Sequence, residues 1–216
     1  EPSPRAKNTL MPFPPLNTFA GNPLDRGGDL RQDPVWLAEQ AASSDALAMV
    51  LWEGRPLLED PVDGPRLAWI ALRHARTLAP GREAFLGLWK GAPVFAVEIE
   101  GPADPADGPV RGLGAFAEMR AAAAVLPGPE AAMAGAAKSL FDWRRRHGFC
   151  AACGQMSENA CGGWKRICPA CGTEHFPRVD PVTIMLPVFR DPAGDRCLLG
   201  RQAAWPEGWM SALAGF

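Results

Sequence analysis

"CAACGQMSENACGGWKRICPACG", residues 150–172, holds five of the six cysteines in a chain of 216 residues. Cys150 and Cys153 form one C-x2-C pair, and Cys168 and Cys171 form a second, with 14 residues between the pairs. Each pair is followed by a glycine, Gly154 or Gly172. A C-x2-C turn aims two thiolates at one point, and two such turns joined by a hairpin supply four soft anionic ligands in a tetrahedron about Zn²⁺. The trailing glycine allows the tight, positive-φ turn that closes each knuckle. The spacing therefore predicts a zinc ribbon. Four thiolates close the coordination shell and leave no place for substrate, so the expected role of the metal is structural. Zinc binding to such a segment contributes roughly 10–16 kcal/mol, and about 30 residues hold too little core to fold without it. A disulfide staple conflicts with a reducing compartment. Thioredoxin-like redox work needs one C-x2-C at a helix start, not two facing pairs.

The other candidates near this cluster read as structural. Cys161 is expected to be a free thiol on the ribbon hairpin, and Cys197, in "RCLLG", a small buried hydrophobe. His175 lies four residues after Cys171 and could in principle replace a cysteine ligand, but four symmetric thiols suffice. His74 and His147 read as surface or helix-end histidines, and Trp164 is expected to pack across the hairpin.

Upstream, "GPEAAMAGAAKSLFDWRRRHG" (128–148) is the clearest helix. Pro129 suits its first turn and Glu130 its positive end. Met133, Ala137, Leu140, Phe141 and Arg144 recur at helical spacing on one face. Arg144, Arg145, Arg146 and His147 suit the negative end, with Gly148 as terminator. This helix delivers the chain into the cysteine cluster. Before it, "ALAMVLW" (46–52), "EGR" and "PLLE" predict one hairpin, and "AFLGLW" (84–89), "KGAP" and "VFAVEI" (94–99) a second. "PVWLAEQAASS" (34–44) predicts a short helix starting at Pro34 and capped by Asp33. "EGPADPADGP" (100–109) reads as a loop. Residues 1–28, rich in Pro, Asn and Gly, read as a tail or an extended edge. After the cluster, "VTIMLPVF" (182–189), "RDPAGD" and "RCLLGR" (196–201) predict strand, turn, strand. The expected organisation is a tail over 1–28, an α+β domain over 29–127, a connecting helix over 128–148, the ribbon over 149–178 and a further unit from 179 to 216.

Composition narrows the function classes. Hydrophobic residues make up 47% and charged residues 21%, which suits a globular fold with a sizeable core. A net charge of -2 supplies no global field toward nucleic acid or an anionic membrane. No run of about 18 apolar residues is present to span a bilayer. "EPSPRAKNTLMPFPP" has no apolar core of a secretory signal, so the expected compartment is the cytoplasm, and its lack of an initiator Met suggests trimming.

The segment "FCAACG…GGWKRICPACGTEHFPRVDPVTIMLPVF…CLLGRQ…WPEGWMSALAGF" resembles the zinc-ribbon NADH pyrophosphatases (NAD diphosphatases) of the Nudix hydrolase superfamily. It includes the "HFPRVDP" link after the ribbon and the "SALAGF" that precedes the family's Nudix box. "AFLGLWKGAPVFAVEI" looks like the core of the family's N-terminal domain. The resemblance implies an α+β fold in three parts: a degenerate Nudix-like domain, a four-Cys zinc ribbon, and a Nudix α/β/α domain of which residues 179–216 are the opening strands. It implies hydrolysis of the pyrophosphate of NADH or NAD, or of the NAD cap on RNA, to nicotinamide mononucleotide and AMP. It also implies a homodimer. The family's Nudix box, G-x5-E-x7-R-E-U-x-E-E-x-G-U, carries glutamates that hold Mg²⁺ or Mn²⁺, which neutralise the pyrophosphate and activate water. That box would begin a few residues beyond Phe216, so the 216 residues as written are expected to be inactive. Carried over by position, Phe176 matches an aromatic at the nicotinamide end and Phe216 a base-stacking ring. Ala214 matches a position whose backbone carbonyl ligates the catalytic metal, and Arg111 loosely matches an arginine reaching substrate from the N-terminal domain.

A competing reading is a non-catalytic ribbon that binds nucleic acid or builds a dimer. Between residues 144 and 178, six cationic side chains (Arg144, Arg145, Arg146, Lys165, Arg166, Arg178) face two anionic ones, Glu158 and Glu174. Such a patch suits phosphates. It is also what a helix C-terminus beside an exposed hairpin ordinarily presents.

Overall fold

A computed structural model describes residues 17–215. They form two compact units, one running to Pro177 and one from Arg178 onward. In the first unit a seven-stranded sheet is built from β1 (Leu47–Trp52), β2 (Arg55–Glu59), β3 (Arg66–Leu67), β4 (Trp69–Ala71), β5 (Glu83–Trp89), β6 (Ala92–Ile99) and β7 (Ala115–Phe116). Both predicted hairpins form, β1 with β2 and β5 with β6. Each closes on two residues of positive φ, Glu53 and Gly54 in one and Lys90 and Gly91 in the other, the backbone that matches the twist of a tight hairpin. The hairpins join through a parallel pairing of β1 with β6, from Leu47↔Val94 to Trp52↔Ile99. That central pairing explains why "LAMVLW" reads as an unbroken apolar run: it is covered on both faces.

Alternation along the strands divides the core in two. Met49, Leu51, Leu86, Val94 and Ala96 face α3 (Met119–Val125) and α4 (Gly128–Arg146). Ala48, Val50, Phe85, Phe95 and Val97 face α1 (Pro34–Ala42) and α2 (Leu72–Leu78). Asp33 caps α1 as expected, its side chain accepting from the Val35 N–H at 2.8 Å. The expected face of α4 is buried at Met133, Ala137, Leu140 and Phe141. Thus α4 does more than deliver the chain: it covers one face of the sheet. Its Glu130 carboxylate accepts from the Leu67 N–H at 2.7 Å and tethers the helix start to β3. The helix ends at Arg146, with His147 as its cap and Gly148 in the expected terminating position just beyond. His147 caps it through its N–H to the Trp143 carbonyl, and the Gly148 carbonyl is taken by the ribbon. Of the segment 1–28, residues 1–16 lie outside the described residues; in the remainder Leu24 is buried and Asp25 makes an isolated bridge to Leu88 in β5.

The ribbon contributes β8 (Glu158–Ala160), β9 (Lys165–Ile167) and β10 (Glu174–His175), an antiparallel sheet in the order β10-β9-β8. The second unit holds β11 (Thr183–Met185) paired with β14 (Leu213–Gly215), and β12 (Val188–Phe189) paired with β13 (Arg196–Cys197). The strand expected over 182–189 is split at Pro187, which has no N–H to give a ladder and offers its carbonyl to the Leu198 N–H instead. Cys197 departs from expectation: it is exposed, because its own small unit pairs β13 only with β12, itself exposed. No helix among the described residues is long and apolar enough to cross a membrane.

Candidate metal centre

The two C-x2-C turns are built alike. The Cys150 N–H donates to the Gln155 carbonyl and the Gly154 N–H returns to the Cys150 carbonyl; the Cys168 N–H donates to the Thr173 carbonyl and the Gly172 N–H returns to the Cys168 carbonyl. Both closing glycines have positive φ, 77° at Gly154 and 73° at Gly172. Repeating the turn aims four sulfurs inward. The Sγ atoms of Cys150, Cys153, Cys168 and Cys171 all lie within 4.8 Å of one another. Cys150 and Cys171 stand 3.6 Å apart, and Cys153 and Cys168 3.5 Å. A tetrahedral Zn²⁺ with Zn–S of about 2.3 Å sets its sulfurs about 3.8 Å apart, so these residues fit the ion. This is the structural zinc site of a zinc ribbon.

Two of the cluster's thiols are shifted in opposite directions by their neighbours. Cys171 is pulled down to about 6, first by the Thr173 hydroxyl and then by the Thr173 backbone N–H. Cys153 accepts from the Gln155 N–H, which pulls it down, but its neighbours Cys171 and Cys168 push it up to about 12. A divalent ion bound by thiol ligands holds them as thiolates.

Sequence reasoning missed the shell around the sulfurs. Thr173 places Oγ1 3.2 Å from Cys171 Sγ, and His175 places Nε2 3.3 Å from Cys150 Sγ. His175 is thus brought to the cluster as a hydrogen-bonding neighbour of a ligand. The ribbon's interior is also polar. Arg166, only 8% exposed, donates Nε to Ser157 Oγ at 2.7 Å, Nη1 to Asn159 Oδ1 at 2.8 Å, and Nη2 to the carbonyls of Gly148 and Ser157. No pattern in "SENACGGWKR" (157–166) announces this network, because its partners include backbone carbonyls of Gly148 and Ser157.

Two side chains lock the ribbon to the sheet. Trp164 does not pack across its own hairpin. Its indole N–H donates to the Phe85 carbonyl at 2.6 Å, and the ring carries the guanidiniums of Arg31 and Arg26 at 4.8 and 5.4 Å. Arg144 donates Nη1 to the Glu83 carbonyl at 2.9 Å and Nε to the Gly163 carbonyl at 3.2 Å. Cys161 is half-buried with a free thiol. His74 is exposed, and exposed His147 stacks on Trp143.

The positions carried over from the resemblance are not gathered by the first unit. Phe176, 56% exposed, follows β10, whereas Arg111 lies on an exposed turn with Nη2 on the Asp107 carbonyl at 3.1 Å. Ala214 sits in β14 opposite Ile184, and Phe216 lies outside the described residues. Three of the six cations of that run form ion pairs: Arg145 with Glu98 and Asp142, Lys165 with Glu174, Arg178 with Asp180.

Comparison with known proteins agrees with this architecture. Residues 45–143 match the family model of the NADH pyrophosphatase-like rudimentary NUDIX domain, and residues 145–176 match the NADH pyrophosphatase zinc ribbon domain. The chain is similar to the NAD-capped RNA hydrolase NudC of Mycobacterium tuberculosis (strain ATCC 25177 / H37Ra), at 36% identity over 204 residues, covering 89% of this chain and 60% of that protein. It is similar to human mitochondrial NAD(P)H pyrophosphatase NUDT13, at 40% identity over 103 residues, covering 48% of this chain and 28% of that protein. It is also similar to the human NAD-capped RNA hydrolase NUDT12, at 41% identity over 95 residues, covering 40% of this chain and 20% of that protein. The chain therefore spans less than two thirds of the length of these relatives.

Proposed function

We propose, since this chain belongs to the zinc-ribbon NADH pyrophosphatases of the Nudix superfamily, that it is the rudimentary Nudix domain, ribbon and first catalytic-domain strands of an NAD(H) diphosphatase. The reaction is hydrolysis of the pyrophosphate of NADH or NAD, or of the NAD cap on RNA, releasing nicotinamide mononucleotide and AMP. The observation that carries this reading is the domain match from 45 to 176, with 36% identity to a mycobacterial NAD-capped RNA hydrolase continuing across 89% of the chain.

In this reading residues 29–127 and 128–148 make the Nudix-like domain and its helix, 149–178 the ribbon, and 179–216 the opening of the catalytic domain. Phe176, exposed as the chain leaves the ribbon, offers a planar ring to the nicotinamide end. Phe216 stacks on the other base, Ala214 offers its carbonyl to the catalytic metal, and Arg111 reaches the substrate with a guanidinium that spends one donor on the Asp107 carbonyl. Mg²⁺ or Mn²⁺ supplies charge neutralisation of the pyrophosphate and an activated water. The protein works in the cytoplasm as a homodimer.

Incubating the 216-residue chain with NADH and Mg²⁺ is expected to release no AMP, because the box glutamates lie outside it. The same sequence continued through its natural reading frame is expected to release AMP and nicotinamide mononucleotide. Turnover by the 216 residues would overturn the first statement, and inactivity of the continued protein the second.

A further inference from the structure

A cleft of about 430 Å³ opens along the seam between the sheet and the ribbon. Its charged walls are Arg82, Arg144, Arg145 and Arg166 against Glu98 and Glu100, four positive charges to two negative. The two glutamates are already engaged, Glu98 with Arg145 at 3.3 Å and Glu100 with Arg82. Arg144 and Arg166 remain. Among the described residues neither has a carboxylate within ion-pair distance; their partners are carbonyls, the Ser157 hydroxyl and the Asn159 amide oxygen.

Such partners satisfy N–H groups but do not neutralise charge, and a desolvated cation without a counter-ion is costly. The two guanidiniums also repel each other. Arg144 is pulled down to about 10, first by burial and next by Arg166. An arginine carries five N–H donors; Arg144 commits Nε and one donor of Nη1 to protein carbonyls, and among the described residues its other donors have no hydrogen-bond partner, although Nη2 packs against Gly163. Asn159, whose Oδ1 receives Arg166, lines the same cleft, and among the described residues its amide N–H groups have no partner.

We propose that this seam is an anion site for a phosphate group, held between Arg144 and Arg166 and steered in by Arg82 and Arg145. A phosphate monoester carries about -1.5 to -2 at neutral pH and three strong acceptor oxygens, which matches both the excess charge and the free donors. The cleft is large enough to admit the phosphate alone or with a nucleoside attached. The inference does not rest on the hydrolase reading, since it concerns neither Phe176 nor Arg111 and needs no turnover.

The test is calorimetric titration of the zinc-loaded 216-residue chain with inorganic phosphate, AMP and adenosine at low ionic strength. Phosphate and AMP are expected to saturate with Kd of about 10 µM to 1 mM, weakening as salt rises, and adenosine to give no heat. AMP binding more tightly than phosphate places the nucleoside in the cleft; equal affinities place only the phosphate there. Arg144→Gln is expected to weaken both at least about tenfold, as loss of a charge-assisted contact does. Because Arg144 also ties the ribbon to the sheet, Arg82→Glu is the second variant. It reverses a half-exposed charge at the mouth and leaves the Arg144 bonds intact, and it is expected to weaken both ligands similarly. Absence of saturable binding by phosphate and AMP overturns the proposal. So does adenosine binding as tightly as AMP, or an unchanged Kd in Arg82→Glu.

Discussion

His175 stands one hydrogen bond from a metal ligand, and its effect is separable from that of the ligands. A donor to a thiolate sulfur offsets negative charge that four sulfurs share around one ion, and such outer partners typically change metal affinity about 10–100-fold. His175→Ala is expected to lose that factor in competition with a chromogenic chelator, while His175→Gln, which retains an N–H, recovers part of it. Equal zinc affinity in all three proteins would sink the idea. Glu98 tests a different balance. It is 4% exposed, and burial pushes its carboxyl above the ordinary value of 4.5 against the opposing pull of Arg145. The folded protein therefore holds this proton to higher pH than the unfolded chain. Between the two values the folded state binds more protons, so the Glu98 contribution to stability is present below the ordinary carboxyl range and is lost as pH rises through the folded value. Thermal melts of wild type and Glu98→Gln from about pH 4 to about pH 8 should show the wild type falling behind as pH rises; parallel curves would refute the assignment.

Helix α4 and the hairpin between β8 and β9 show what single elements contribute. Leu140 is 2% exposed in the cluster between α4 and the sheet, so Leu140→Ala is expected to cost about 2–5 kcal/mol in urea unfolding. Trp164→Phe keeps a ring beside the sheet but loses the indole donor to the Phe85 carbonyl, leaving a carbonyl unpaired. A loss of about 1–2 kcal/mol is expected, and no change would mean that the seam does not depend on that bond. These elements also mark how far sequence patterns reach. The apolar rhythm of 133–141, the two hairpins and both knuckles are local signals, and each appears where its residues indicate. Pairing β1 in parallel with β6 is not local: either hairpin edge was free to join, and the choice is made by helices covering both faces. The contacts of Trp164 and Arg144 are non-local in the same way. Their partners, the Phe85 and Glu83 carbonyls, are backbone atoms far away in sequence, which no side-chain pattern announces. Pro187 was a visible warning that the strand over 182–189 would break.

At the scale of the whole chain, metal and packing hold different parts of one unit. The sheet carries two apolar clusters, one on each face, whereas the ribbon buries little beyond Cys150, Cys168, Ser157 and Arg166. A polar interior of that size gives little hydrophobic stabilisation, and zinc contributes roughly 10–16 kcal/mol to such a segment. Removing zinc should therefore melt residues 149–176 and spare the sheet. Chelation is expected to add four thiols to the reactive count as Cys150, Cys153, Cys168 and Cys171 are freed. Tryptophan emission should shift to the red as Trp164 leaves the Phe85 carbonyl. Helical circular dichroism should change little, because the four α-helices among the described residues all precede Gly148 in the chain. Re-addition of Zn²⁺ should reverse all three signals, and the urea transition of the sheet should survive throughout. If the chelator leaves the thiol count unchanged, the four sulfurs need no ion. If the helical signal collapses with the ribbon, the sheet does not stand on its own core, and the division of labour drawn from the burial pattern is wrong.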